Sequence, residues 1–259
     1  MTTTQPGQGN RTAERAVQLL LLYSDERPSL SAIEVAEHLG MSRSTTYRYL
    51  QSLRAAGLLE EDATRSGFRL GPRIFELARV ARKGLGLSEM ATPTMRRLVE
   101  QTGETILLTR RSGHHVICVE REESNQHLRL SYERGQVLPV HAGASAIILL
   151  AWLEPDELEV VLEAAALDRF TNATITDPNA LRARLSEIRK LGYAVTYGER
   201  DTGVVGVAAP IRDEADRVVA GLSAVIPSHR VDENTLQGAI DAVRAGADEV
   251  SARIRLVQG

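Results

Sequence analysis

Apolar residues in the first sixty positions recur three and four apart in three stretches, which is the spacing of helices that bury one face. Residues 12–24 predict a first helix. Ser31 offers a side-chain oxygen to cap a second, short helix that ends at Gly40. Ser42 offers another cap to a third helix, which ends at Gly57. The second and third helices therefore meet across a tight turn.

A polar loop between two short apolar runs predicts a β-hairpin after the third helix. Residues 58–59 and 68–70 flank the loop EEDATRSG, whose tip contains Arg65 and Gly67. Two helices joined by a tight turn and followed by a hairpin form the pattern of a winged helix-turn-helix, mostly α with a β-hairpin wing.

An amphipathic helix is predicted over residues 73–83, after Pro72 and before Gly84 and Gly86. We interpret it as a connector, because it separates a basic region from an acidic one. Its apolar stripe can pack back on its own chain or form a dimer seam with a second copy. The stripe consists of Ile74, Leu77, Ala78 and Ala81.

From residue 88 the pattern changes to alternating helices and strands without internal repeats. Strands separated by both hairpins and helices predict a mixed sheet flanked by helices, an α+β domain of the sensor type. The predicted helices cover residues 88–101, 144–153, a segment from 155, 177–191 and about 232–257. The predicted strands cover residues 105–110, 115–120, 128–132, 193–197, 204–211 and 218–225, and the last two form a hairpin.

Composition narrows the class of protein. The chain has 259 residues, 43% of them apolar and 25% charged, which excludes a disordered or fibrous protein and allows two domains. Residues 137–153, the longest nearly uncharged apolar stretch, are too few to span a bilayer. Residues 1–10 are expected to be a disordered tail and resemble neither a signal nor a transit peptide, so we expect a cytoplasmic protein. The single cysteine excludes an internal disulfide.

Charge is distributed unevenly along the chain. Residues 1–84 hold 12 Lys and Arg against 9 Asp and Glu, a balance of +3, whereas the remaining 19 basic and 25 acidic residues give −6. This asymmetry indicates a polyanion-binding front end on a chain whose total charge is −3.

The third helix carries the clearest chemical signal. Residues 41–59 contain three arginines and no acid, so the face opposite its buried stripe is cationic or neutral. A recognition helix places base-reading side chains near its N-terminus, and arginine can bind guanine through two hydrogen bonds. The alternative is an ordinary solvated helix face. The predicted DNA-binding residues are Arg43, Ser44, Thr45, Tyr47 and Arg48 on the helix, with Arg65 in the wing.

Histidine and cysteine residues suggest two further hypotheses, a metal site and a histidine-activated cysteine nucleophile. His114 and Cys118 lie four residues apart, roughly 13 Å along a strand, which is too far for one metal ion. We therefore expect Cys118 to be a small core residue and His141 to orient a loop. Glu199 and Asp201 look like a solvated pair at a strand end. We expect no catalytic residue, no metal and no cofactor.

Five blocks, in order, resemble the IclR-type transcriptional regulators over nearly the whole chain. The blocks are LSAIEVAEHLG at 30–40, SRSTTYRYLQSLRAAGLL at 42–59, GFRLG at 67–71, LPVHAGASAIILL at 138–150, and GVVGVAAPI at 203–211 followed by VVAGLSAVIP. The resemblance implies a winged-helix DNA reader at residues 11–71, a linker helix at 72–86 and a GAF-like effector-binding domain at 87–259, assembled as dimers or tetramers.

The same resemblance implies an effector pocket. Ala144 and Ser145 fall where backbone amides of the family meet a ligand carboxylate, which a helix N-terminus favours. Gly206 and Val225 stand where sensors of small oxoacids place polar groups, so we expect a less polar, roomier pocket that suits a larger or aromatic acid. The alternative is that such residues only pack the core. The other expected effector-binding residues are Thr196 and Ser223, with Leu130 and Leu138 as apolar wall.

These observations lead to a function hypothesis with two rivals. We expect a transcriptional repressor, not an enzyme, that binds a near-palindromic operator and is controlled by a small organic acid. One rival is a small-molecule enzyme with an appended nucleic-acid- or protein-binding module. The other, an architectural DNA binder, leaves the long acidic second domain without a purpose.

Overall fold

The computed structural model describes residues 11–63, 66–124 and 132–258, and the chain divides into two units, Met1–Gly84 and Leu85–Gly259. The expected N-terminal tail therefore lies outside the described residues. The first unit has a small sheet in the strand order β1-β3-β2 packed with helices. Its elements are α1 (Arg11–Leu20), β1 (Ser29–Leu30), α2 (Ala32–Leu39), α3 (Arg43–Ala55), β2 (Leu59–Asp62), β3 (Gly67–Leu70) and α4 (Arg73–Leu85).

The ends of α2 and α3 follow from local chemistry. The Ser31 hydroxyl accepts a hydrogen bond from the Glu34 amide, and the Glu34 carboxylate accepts one from the Ser31 amide, so the two residues form a capping box. Gly40 ends α2 at a φ of 59°, a left-handed conformation that glycine adopts without strain. Ser42 caps α3 by accepting from the Thr45 amide. These ends are as predicted.

Three features of the first unit differ from the prediction. Helix α1 ends at Leu20 instead of residue 24, because Ser24 and Arg27 exchange backbone hydrogen bonds in a tight turn. Gly67 is not in the hairpin tip but pairs with Asp62 inside the wing. The position requires glycine because a Cβ there would lie 2.8 Å from the carbonyl oxygen of Leu30. Strand β1, which supplies that carbonyl, was not predicted.

Among the residues that the structure describes, the second unit has a six-stranded sheet between helices, in the strand order β6-β5-β4-β9-β8-β7. Every pairing between these described strands is antiparallel, so the prediction of a mixed sheet is wrong for them. Strands β6 and β7 are the two that helices separate, and they occupy opposite edges, so the crossover creates no adjacent parallel pair. The elements are α5 (Leu87–Thr102), β4 (Thr105–Ser112), β5 (His115–Glu122), β6 (Val137–Leu138), α6 (Ala144–Leu150), α7 (Pro155–Ala164), α8 (Pro178–Leu191), β7 (Ala194–Tyr197), β8 (Val204–Arg212), β9 (Val218–Pro227) and α9 (Glu233–Gln258).

Both faces of this sheet are covered, which explains why β8 and β9 are buried almost throughout. On β4, Leu107 packs with α6 and α8, whereas Ile106 and Leu108 face α5 and α9. Helix α6 ends at Leu150, earlier than predicted, and the Arg189 guanidinium binds the carbonyls that follow. Most of the strand predicted at 128–132 lies outside the described residues, and β6 was missed. Within the described ranges no helix is long and apolar enough to cross a membrane.

Candidate DNA interface and ligand pocket

The N-terminal half of α3 presents polar side chains to solvent. Arg43, Ser44, Tyr47 and Arg48 are exposed, while Thr46, Leu50 and Leu53 are buried against the rest of the unit. Thr45 is only half-buried and its hydroxyl lies 2.9 Å from the Ser42 hydroxyl, so it contributes to the helix cap. The surface formed by the four exposed residues is called the α3 face below.

The cations of this helix differ in what they bind. Arg54 forms an ion pair with Glu61 of the wing. Arg43 and Arg48, by contrast, have no ion-pair partner in the part of the chain that the structure describes. Their charge is therefore available to an external anion. Arg65, the predicted wing contact, lies outside the described residues.

A small cavity lies in the second unit where α6 begins, beside β7, β8 and β9. It contains six of the eight predicted effector residues, Leu138, Ala144, Ser145, Thr196, Gly206 and Val225, together with Tyr132, Ala142, Gly143, Glu199, Arg200, Asp201 and Val204. Leu130 lies outside the described residues. The accessible volume is about 30 Å³, close to that of one water molecule, so the expectation of a roomy pocket is wrong for this conformation.

Two backbone donors at the start of α6 already have partners. The Ala144 amide donates to the Thr196 hydroxyl, and the Gly143 amide donates to a Glu199 carboxylate oxygen, each over 3.1 Å. A ligand carboxylate can use these two amides only by displacing Thr196 or Glu199. The tight approach also explains Gly206, since a Cβ there would lie 2.9 Å from the Thr196 hydroxyl.

Ser223 lies behind the cavity instead of in its lining. Its side chain is completely buried, and its hydroxyl lies 2.7 Å from the hydroxyl of Ser145, which does reach the cavity. Ser223 therefore positions Ser145, and a ligand would meet it only through that residue.

The predicted solvent exposure of the charged residues at the cavity is wrong for one of them. Glu199 is 8% exposed, so it does not form a solvated pair with Asp201. Burial raises the pKa of Glu199, an effect that the hydrogen bond from Gly143 partly offsets. Asp201 is exposed and accepts a hydrogen bond from the Tyr132 hydroxyl over 3.0 Å. Burial is also the main cause that raises the pKa of Tyr132 to about 12. The pocket is thus more polar than expected.

The histidines and the cysteine form no reactive cluster. Cys118 is buried in the core, and burial raises its thiol pKa to about 11. His114 and His115 contact each other at the β4–β5 turn, with ring centroids 4.2 Å apart and the ring planes tilted by 52°. His141 binds the backbone carbonyl of Asp168 through Nε2 over 2.9 Å and so ties down the loop before α8. Among the described residues, no group of three or more metal-ligating side chains converges.

A larger cavity of about 460 Å³ lies on the other face of the sheet, between α5 and α9. Its main charged groups satisfy each other, because Arg230 donates to both carboxylate oxygens of Glu104 over 3.0 and 3.1 Å. No local pattern predicted this cavity, since its lining comes from two parts of the chain that are far apart in sequence, residues 97–104 and 226–245.

A helix-turn-helix with a wing and an unpaired basic face, followed by a separate α+β unit with a pocket, defines a DNA-binding transcriptional regulator. Comparisons with known proteins agree. The family model described as the IclR helix-turn-helix domain matches residues 12–63, and the model described as the bacterial transcriptional regulator IclR C-terminal domain matches residues 80–252. The chain belongs to the IclR family of transcriptional regulators.

Individual relatives are similar over nearly their whole length. The HTH-type transcriptional regulator BhcR of Paracoccus denitrificans is 36% identical over 94% of this chain and 87% of its own. The HTH-type transcriptional repressor AllR of Escherichia coli is 29% identical over 96% and 92%. A crystal structure of an IclR homologue from Microbacterium hydrocarbonoxydans, complexed with 4-hydroxybenzoate, superposes with a TM-score of 0.79 at 30% identity, covering 95% of this chain and 99% of that one. These relatives are regulators, so the enzyme alternative is wrong.

Proposed function

We propose that this regulator is a repressor that binds a near-palindromic operator as a dimer or tetramer and changes its DNA affinity when a small organic acid binds. The observation that carries this proposal is the α3 face, where Arg43 and Arg48 are exposed and have no ion-pair partner among the described residues. Unpaired arginines on a recognition helix suit base edges and phosphates. Repression is supported by the name of one relative, AllR.

Each function is assigned to a separate segment of the chain. We assign residues 11–71 to DNA binding, 72–86 to a linker helix and 87–259 to effector binding. Because bacterial DNA is the target, we place the protein in the cytoplasm.

Assembly is supported by the surface of α4. Phe75, Leu77 and Val80 are exposed, and Phe75 is 77% exposed. Large apolar side chains exposed along one short helix are costly to leave in water and are typical of an interface. A dimer also supplies two recognition helices, since one helix contacts too few base pairs for an operator. Phe75 was missed in the sequence, where the predicted stripe ran through Ile74, Leu77, Ala78 and Ala81.

The effector class is supported by the small cavity. It combines apolar wall residues, Leu138 and Val225, with polar groups at one end. A related regulator of the same fold is complexed with 4-hydroxybenzoate, an aromatic acid. The cavity of this chain must enlarge to admit an acid of that size, because its present volume is about 30 Å³.

Operator binding with and without acids tests the proposal. The full chain is incubated with DNA from upstream of its own gene, and protection of two similar half-sites on one face of the duplex is expected. Benzoate, 4-hydroxybenzoate, pyruvate and glyoxylate are then titrated, and an effector should shift DNA affinity about 5- to 150-fold. Unchanged recovery of the acid after incubation distinguishes a sensor from an enzyme. Binding to random DNA with equal affinity would contradict the proposal.

A further inference from the structure

Three successive charged residues, Glu199, Arg200 and Asp201, border the small cavity. They lie between β7 and β8, after Gly198, which has a φ of 62°. The two carboxylates have partners, since Glu199 accepts from the Gly143 amide and Asp201 accepts from the Tyr132 hydroxyl. The loop therefore brings one cation and two anions to the same end of the pocket.

Two of the backbone amides at the start of α6 already have acceptors within the protein. The Gly143 amide is occupied by Glu199 and the Ala144 amide by Thr196. A second carboxylate beside the Glu199 carboxylate would meet like-charge repulsion in a buried setting. An acid in the pocket therefore needs a donor besides these two amides.

Arg200 provides that donor. Its Nη1 atom is buried and makes no hydrogen bond to any residue that the structure describes. Its Nε atom forms an ion pair with the Asp201 carboxylate over 3.9 Å, a distance longer than a hydrogen bond. The guanidinium carbon lies 4.9 Å from the centre of the Tyr132 ring, and the Arg200 Cβ lies against Gly143. Stacking on Tyr132, a side-chain hydrogen bond with Tyr132 and packing thus hold the guanidinium, while its Nη1 atom stays unsatisfied.

An unsatisfied buried donor is costly, and a carboxylate is the anion that a guanidinium fits best, through two parallel hydrogen bonds. We propose that Arg200 binds the carboxylate of the effector and that Glu199 and Asp201, on either side of it in sequence, restrict the pocket to acids with a single carboxylate. This inference rests on the proposed function and deepens it. Among the described residues that line the cavity, Arg200 is the one cation, so a second carboxylate on the ligand approaches two anions without a cation of its own.

The experiment compares Arg200→Gln, Arg200→Lys and the wild type by calorimetry. Arg217→Gln is the matched control, because Arg217 is an exposed arginine of the same unit that pairs with Asp213 and does not line the cavity. The probes are 4-hydroxybenzoate and its neutral amide, and two size-matched pairs with one or two carboxylates: 4-carbamoylbenzoate with terephthalate, and succinamate with succinate. Thermal melting and operator affinity without ligand establish that each variant folds.

We expect the wild type to bind at least one monocarboxylate, and Arg200→Gln to bind the same acid at least tenfold more weakly. The affinity for the neutral amide is weak in both proteins and should differ less than twofold between them. Arg200→Lys should retain part of the affinity, and Arg217→Gln all of it. The dicarboxylate of the matching pair should bind at least tenfold more weakly than its monoamide. If Arg200→Gln binds the acid as the wild type does, or the dicarboxylate binds better, the inference is overturned while the proposed function stands. If the wild type binds operator but none of these acids, the inference and the effector half of the proposed function both fail.

Discussion

The hydroxyls of Ser145 and Ser223 lie 2.7 Å apart, one at the ligand cavity and the other completely buried behind it. A larger side chain at Ser223 would disturb the core before it filled the cavity. The position that closes the cavity is Gly206, where an added Cβ would lie 2.9 Å from the Thr196 hydroxyl and 3.0 Å from the Ala144 Cβ.

Gly206→Ala should therefore weaken acid binding at least tenfold and destabilise the protein by about 1 to 3 kcal/mol, because the added methyl overpacks the site. Calorimetry with the effective acid and thermal melting measure the two effects. Gly238→Ala on α9 is the control, since nothing lies within 4 Å of its added Cβ. Equal acid binding by Gly206→Ala and the wild type would place the effector elsewhere.

Arg43 and Arg48 should supply sequence readout. Arg48→Ala should cost about 1 to 3 kcal/mol on the operator if the arginine makes a bidentate base contact, and it should relax the base preference at one position. Arg65→Ala should instead weaken binding to all DNA and flatten its salt dependence. Titrations at several salt concentrations measure both. Arg54→Ala, which removes a cation that pairs with Glu61, should leave the base preference unchanged. Operator binding unaffected by Arg43→Ala/Arg48→Ala would refute the assignment.

The exposed apolar side chains of α4 should hold two copies together. Phe75→Ser/Leu77→Ser is expected to shift the protein from dimer or larger toward the 28.3 kDa monomer in sedimentation and to weaken operator binding. The control is Arg79→Ser, which changes an exposed polar residue of the same helix. A wild-type protein that is monomeric at micromolar concentration, on and off DNA, contradicts this prediction.

Gly71 should matter for the stability of the first unit because its backbone packs closely against the backbone of Gly57. A Cβ there would lie 2.4 Å from the carbonyl oxygen of Gly57, so Gly71→Ala should cost about 1 to 3 kcal/mol. Gly40→Ala meets no neighbour and strains only a left-handed backbone, which costs about 1 kcal/mol. Denaturant unfolding of both variants should rank Gly71→Ala as the less stable. The reverse order would show that the wing relaxes around the added methyl.

Cys118 should be unreactive in the folded protein. Burial raises its thiol pKa to about 11, so the fraction of thiolate is small at pH 8, and the side chain is inaccessible. A disulfide-forming thiol reagent should label it only as fast as the unit opens, and rapidly in denaturant. Labelling of the native protein within seconds would mean that β5 is not packed as described.

The sequence was sufficient for features that depend on neighbouring residues. Ser31, Gly40 and Ser42 set helix ends through caps only a few residues away, and the spacing of Thr46, Leu50 and Leu53 determined which face of α3 is exposed. The change of pattern near residue 88 indicated two domains and the acid-free third helix indicated DNA binding, and the family motifs implied both as well.

Tertiary structure decided what depends on residues that are distant in sequence. The sequence places Gly67 in a turn, whereas the structure shows that it is glycine because the Leu30 carbonyl lies next to it. The sheet is antiparallel because β6 and β7 lie at opposite edges. Glu199 looked solvated because its neighbours are charged, yet the Gly143 amide, 56 positions away, holds its carboxylate in the pocket. Local pattern determines helices, caps and faces, since their hydrogen bonds are local. The occupancy and charge of a cavity depend on side chains that only folding brings together.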